Sequence, residues 1–206
     1  MTADDFVETL RSEYQTSLSR LGSSKSLYAD TAGEMDPGAV AAAALADERA
    51  AAETFDAWAT DTEGPLSEAF ADAASLARDH AETLAGETEA DVPDAPAIYA
   101  VLAEHSTAVE RLGGVVGRSL VVEQKTTQRT GFFTGQADPQ TAQTFRGFGE
   151  DVEAQLEQAV DLLAGQCAGE DDWAAAEAAA SEVIEEAYDE YVETLEGMGV
   201  NPKDVC

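Results

Sequence analysis

Three polar residues stand on helical faces that are otherwise apolar: Glu48, His80 and Glu123. Glu48 shares its line with Ala41, Leu45, Ala52 and Phe55, His80 with Phe70, Ala73, Ala77 and Leu84, and Glu123 with Leu112, Val116 and Ser119. An inward carboxylate or imidazole is costly unless it is paired, protonated or bound to a metal. Two carboxylates and one imidazole can hold a single divalent ion, iron or similar, with water in the open positions. Tyr14 or Glu104 is a candidate to complete such a set. The competing reading makes Glu48 and His80 a buried hydrogen-bonded pair and gives Glu123 a cation on a neighbouring helix. For Glu48 and His80 the pair is the stronger reading.

A second constellation is cationic. Arg111, Arg118 and Lys125 recur every seven residues, with Arg129 a turn further. Such a stripe is either an anion site, for a phosphate or carboxylate ligand, or a basic helix exchanging charge with acidic neighbours; the abundance of acids favours exchange. His105 also lies on an inward line, but about 27 Å of helix separates it from Glu123, so the two cannot share a metal. It reads as a core histidine with its hydrogen bonds satisfied. Phe132, Phe133, Phe145 and Phe148 read as core.

These residues need helices to hold them, and the composition supplies helices. The chain has 206 residues, 44% hydrophobic, enough for one domain with a sizeable core. Eleven cations face forty-two acids, a net charge of −31. That self-repulsion opposes compaction unless salt screens it, and at molar salt the Debye length falls to about 3 Å. A protein of a salt-accumulating cytoplasm is therefore expected. The charge disfavours nucleic-acid phosphates. No apolar run reaches the roughly 18 residues of a membrane span. The segment Met1-Thr2-Ala3-Asp4-Asp5 is acidic where a secretory signal would be basic. Cys167 and Cys206 form no metal spacing, so two free thiols are expected. Self-association is compatible with the sequence, which identifies no protein partner.

Six helices follow from spacings of three and four, and no segment alternates as a strand would. They span about 3–28, 37–60, 65–85, 96–128, 139–166 and 171–196. Asp36-Pro37, Gly64-Pro65 and Asp138-Pro139 are start signals. The segments 86–96 and 130–139 read as loops, the latter the best candidate to move. The fourth helix is apolar nearly all round, so neighbours bury it. Its Gly113 and Gly117 offer a close-packing surface that Gly22 and Ser26 of the first helix match. The second and third helices overlay the fourth and fifth at an offset of 75 residues, pairing Glu48 with Glu123, Phe70 with Phe145, Ala77 with Val152 and His80 with Gln155.

Glu48, Ala51, Phe55 and Ala59 make the pattern Glu-x-x-Ala-x-x-x-aromatic-x-x-x-Ala, and the line from Phe70 to His80 ends on His with Ala77 three residues before it. This pair of helices resembles the rubrerythrin branch of the ferritin-like bundles, whose second helix carries Glu-x-x-His. The strings 18–25, 131–140 and 197–202 are similar to those of a haloarchaeal set of rubrerythrin-family proteins, a likeness that spans the chain. The resemblance implies an all-α fold: an antiparallel four-helix bundle over about 37–166, flanked by helices 3–28 and 171–196, in one domain over 1–206. It also implies metal between facing helices, held by one Glu from each of two and Glu-x-x-His from the others. Glu48, His80 and Glu123 keep part of that set, whereas Ala77, Val152 and Gln155 stand where other ligands belong. A degenerate centre follows, metal-free or holding one ion, and no di-iron oxidase. The Cys-x-x-Cys pairs of a rubredoxin-like iron site are absent. The alternatives are a helical interaction or adaptor protein, and a binder of anionic ligands through the basic stripe.

Overall fold

The computed structural model describes residues 3–202; Cys206 lies outside them. Nine helices and no strand occur among the described residues: α1 (Ala3–Glu13), α2 (Gln15–Leu21), α3 (Ser24–Asp30), α4 (Pro37–Asp61), α5 (Pro65–Ala85), α6 (Ile98–Glu104), α7 (Ala108–Gly135), α8 (Pro139–Gln166) and α9 (Glu170–Gly197). None of them is long and apolar enough to cross a membrane.

The start signals act as their chemistry requires. Asp36 accepts from the Ala39 N–H at 3.0 Å, with Pro37 at the first helical position. Asp138 does the same for Thr141 at 3.1 Å. Gly64 adopts φ 67°, in the left-handed region, to turn the chain from α4 into Pro65.

Three expected boundaries are corrected. The first helix is broken twice, at Tyr14 and at Gly22-Ser23, where the Ser23 hydroxyl bonds the Arg20 carbonyl at 2.6 Å and competes with the helical ladder. The fourth is divided between α6 and α7, because Thr107 and Glu110 form a capping box that starts a new helix. The Thr107 N–H and the N–H and hydroxyl of Ser106 donate three bonds to the Glu110 carboxylate and hold its pKa down at about 2. The third correction concerns 130–135, expected as a mobile loop, which continues α7. There Phe133 is buried against Phe145 and the hydroxyls of Thr130 and Thr134 bond carbonyls four residues back.

Short turns fold α4 onto α5 and α7 onto α8. A third partner of α7 is α9, which runs parallel to it. Gly113 lies against the backbone of Ala176, and Gly117 against that of Ala180. The close-packing surface of α7 is therefore matched by α9 and not, as expected, by the first helix; Gly22 lies against Gln124. The larger cluster of the core runs from Phe6 and Leu10 through Phe55, Trp58 and Phe70 to Val183 and Ile184, and a smaller one gathers Phe133, Phe145 and Phe148 with Leu45 and Leu84.

Candidate functional site

Glu48 on α4 and His80 on α5 come together inside the fold. Both are 6% exposed, with Glu48 Oε1 3.5 Å from His80 Nδ1. The other ring nitrogen, Nε2, lies 3.1 Å from Asp151 Oδ2 on α8. Phe148 stacks on the imidazole, ring centres 3.9 Å apart, and fixes its plane. The second oxygen of Glu48 faces Arg118 of α7, Oε2 to Nη2 3.9 Å. Arg118 is 2% exposed; its Nε donates to the Tyr99 hydroxyl at 2.8 Å and Nη1 to Gln155 Oε1 at 3.2 Å. The guanidinium also lies over the rings of Phe55 and Tyr99, which lets a buried cation replace water with π-faces.

Protonation follows from this geometry. Burial alone would lower the pKa of His80, but Glu48, with Asp151 behind, outweighs it and raises the value from its ordinary one. A carboxylate at each nitrogen favours the imidazolium, with Nε2 hydrogen-bonded to Asp151 and Nδ1 facing Glu48 as an ion pair. Burial likewise works against charged Arg118, yet Tyr99, Asp47 and Glu48 hold its pKa above normal. The Tyr99 hydroxyl is pushed well above its ordinary value, first by burial.

The network continues beyond Tyr99. Its hydroxyl donates to Asp47, the residue beside Glu48; Asp47 Oδ2 lies 4.0 Å from Arg129 Nη1, and Arg129 Nη2 lies 3.7 Å from Asp30 Oδ2. Asp30 then accepts from Lys125 at 2.8 Å. Carboxylates and cations thus alternate through the interior from Asp151 to Lys125, bridged in the middle by a neutral phenol.

Glu123 does not join this group. Its carboxylate pairs with Arg11 at 2.9 Å on the outside of α7, as the competing reading had it. Arg118 holds the position on α7 for which the 75-residue offset nominated Glu123. The reason is helix length: beyond the site α4 covers 48–61, while α7 covers 118–135, a turn more, because the expected loop is helical. Of the other residues that the offset paired, Ala77, His80, Val152 and Gln155 line one small cavity with Glu48 and Arg118, whereas Phe70 and Phe145 lie in separate core clusters. Tyr14 and Glu104 lie elsewhere; Tyr14 donates to Glu185 at 2.7 Å and Glu104 is exposed.

The donor set does not fit a metal ion. Among the described residues no three His, Cys, Asp or Glu side chains are grouped to hold one. A metal would have to displace the protons that Glu48 and Asp151 favour on His80, and the fixed charge of Arg118 repels a second cation from Glu48. The cavity, of about 10 Å³, has room for one water.

The cationic stripe is divided among separate partners. Arg111 bonds Thr62, approaches Asp61 at 3.7 Å and covers the Trp58 ring; Arg118 enters the central network; Lys125 pairs with Asp30. The expected anion site of Arg111, Arg118 and Lys125 is therefore not assembled, and charge exchange with acidic helices takes its place. His105 is buried, as expected, but its hydrogen bonds are not satisfied: among the described residues neither ring nitrogen has a partner, with Glu182 3.5 Å from Nε2. Asp47, Tyr99 and Asp151 were missed by sequence reasoning. One more acid carries no signal in a chain with forty-two of them.

Because folding raises the His80 pKa, its contribution to stability is complete below the unfolded value of about 6.5 and is lost as pH rises through the folded value. Urea unfolding of the wild type against His80→Phe should therefore show a gap that narrows from pH 6 toward pH 9. A gap that widens over that window would contradict an imidazolium held between Glu48 and Asp151.

Compared with models of protein families, with curated proteins and with solved structures, the chain matches none.

Proposed function

We propose that the protein is a ferritin-like bundle, α4, α5, α7 and α8 forming its core, in which a buried ion network stands in place of the metal centre, and that it acts by binding a ligand and not by oxidation. The observation that carries this reading is Arg118, a fully buried guanidinium 3.9 Å from Glu48 on the helix that would supply the facing ligand. The cation supplies the charge that inward carboxylates require, as a metal would, but it has no vacant coordination position and no redox chemistry. The resemblance of 48–59 and 70–80 to rubrerythrin helices supports the bundle assignment, as does the meeting of Ala77, His80, Val152 and Gln155 around one cavity.

Elemental analysis tests the metal half. Protein held in molar potassium chloride with ferrous, manganous or zinc ion and then desalted should retain far less than one equivalent. The His80→Ala variant should retain no less than the wild type. Stoichiometric metal in the wild type that disappears from His80→Ala would overturn the proposal.

A further inference from the structure

A larger cavity lies at the far end of the same network. It has a volume of about 310 Å³, at the lower end of small-molecule sites, and opens between α3, α4, the 93–96 segment, α6, α7 and α9. Two cations line it, Lys125 and Arg129, with four carboxylates: Asp30, Asp47, Asp94 and Glu190.

The partners of these groups are unequal. Lys125 is satisfied by Asp30 at 2.8 Å. Arg129 is 4% exposed, yet it makes no hydrogen bond among the described residues; Asp30 and Asp47 stand off at 3.7 and 4.0 Å, and its Nε has no partner. A buried guanidinium carries five N–H donors, and leaving them unmatched is costly. Glu190, which also lines the cavity, accepts the Ala97 N–H at 3.1 Å and among the described residues has no other hydrogen bond and no ion pair. Burial raises its pKa, against the pull of Ala97 and Lys125 and with help from Asp30 and Glu186. Asp94 lines the cavity as well and is exposed. Asp30 and Asp47 offset the two cations, so Asp94 and Glu190 are surplus negative charge. A purely anionic ligand would meet that surplus, and a purely cationic one would leave Arg129 without acceptors.

We propose that this cavity binds a small zwitterion of the α-amino-acid type, its carboxylate accepting from Arg129 and its ammonium group facing Glu190. Ile98, Val121 and Val122 supply an apolar wall for an aliphatic side group. The proposal rests on the reading of the chain as a binding protein, and it is independent of whether the centre at Glu48 and His80 takes a metal.

Calorimetric titration in molar potassium chloride tests it, with alanine, valine and leucine as probes. Isovalerate serves as the carboxylate without the ammonium group, and isopentylamine as the reverse. At least one amino acid should bind with a stoichiometry of one, and neither half-molecule should bind comparably. Glu190→Gln and Arg129→Gln should each weaken that binding at least tenfold, while Glu123→Gln, outside the cavity, leaves it unchanged. Circular dichroism checks that every variant remains helical, and Arg129→Lys, which keeps the charge and loses the planar donors, should recover little affinity. No binding by any amino acid, equal binding by a half-molecule, or full affinity in Glu190→Gln would overturn the proposal. A wild type that binds the amino acid but also retains a stoichiometric metal would contradict the metal-free reading and leave this site standing.

Discussion

Arg118→Ala should lower the stability of the fold by about 3–5 kcal/mol, the loss expected when one partner of a buried charged group is removed. The substitution takes the cation from Glu48, the donor from Tyr99 and the donor from Gln155 in one step. It also removes the guanidinium from the faces of Phe55 and Tyr99. His80 alone then compensates Glu48, at 3.5 Å. Chemical unfolding in molar salt measures the effect. If Arg118→Ala leaves the protein too unstable to study, Arg118→Met with Glu48→Leu resolves the question. That pair removes both charges and keeps apolar volume, so it should be more stable than Arg118→Ala alone. A loss below about 1 kcal/mol for Arg118→Ala would put the residue among ordinary exposed ion pairs.

The second large effect concerns the seam between α7 and α9. A Cβ added at Gly113 would lie 2.4 Å from the Ala176 carbonyl oxygen, and one at Gly117 would lie 2.5 Å from that of Ala180. Both obstacles are backbone, so neither side can yield without moving a helix. Alanine improves helix propensity by about 1 kcal/mol over glycine, but overpacking a seam of this kind costs about 3 kcal/mol or more. The net effect of Gly117→Ala is a loss of about 2 kcal/mol, and the double variant with Gly113→Ala should lose more than either single one. Gly131→Ala is the control, because nothing lies within 4 Å of a Cβ there. It should be neutral or stabilising by up to about 1 kcal/mol. Equal melting temperatures for Gly117→Ala and Gly131→Ala would refute the close seam.

Much of the helical architecture was readable from local chemistry. Asp36-Pro37 and Asp138-Pro139 start helices through a side-chain acceptor and a fixed φ, effects that need no tertiary partner. The inward line of α5 was readable because one apolar stripe placed His80 among core residues. Misreadings came where local signals competed with packing. Gly131 and Gly135 suggested a loop, but the burial of Phe133 against Phe145 holds that turn in the helix. Thr107 and Glu110 spelled a capping box, yet an apolar line running through both α6 and α7 concealed the break.

The candidate site was half legible for a related reason. A polar residue on an apolar line announces itself, so Glu48 and His80 were visible. A seven-residue recurrence of cations, by contrast, shows that they share a helix face and not that they share a neighbour. Arg111 and Lys125 are about 21 Å apart along α7, and each meets whichever acid stands at its own level. Arg118 is the member of the stripe whose level falls at Glu48. Recognising it required the length of α7 beyond the site, which depends on the packing of Phe133 and is not a local property.

The state of the His80 ring tests the central claim most directly. Nitrogen NMR of the imidazole at pH 7, assigned against a His80→Ala variant and repeated with a divalent ion added, reads both of its nitrogens. An imidazolium with both nitrogens protonated, unchanged by the ion, is the predicted result. A neutral ring with one bare nitrogen whose resonance moves on addition of the ion would contradict the account.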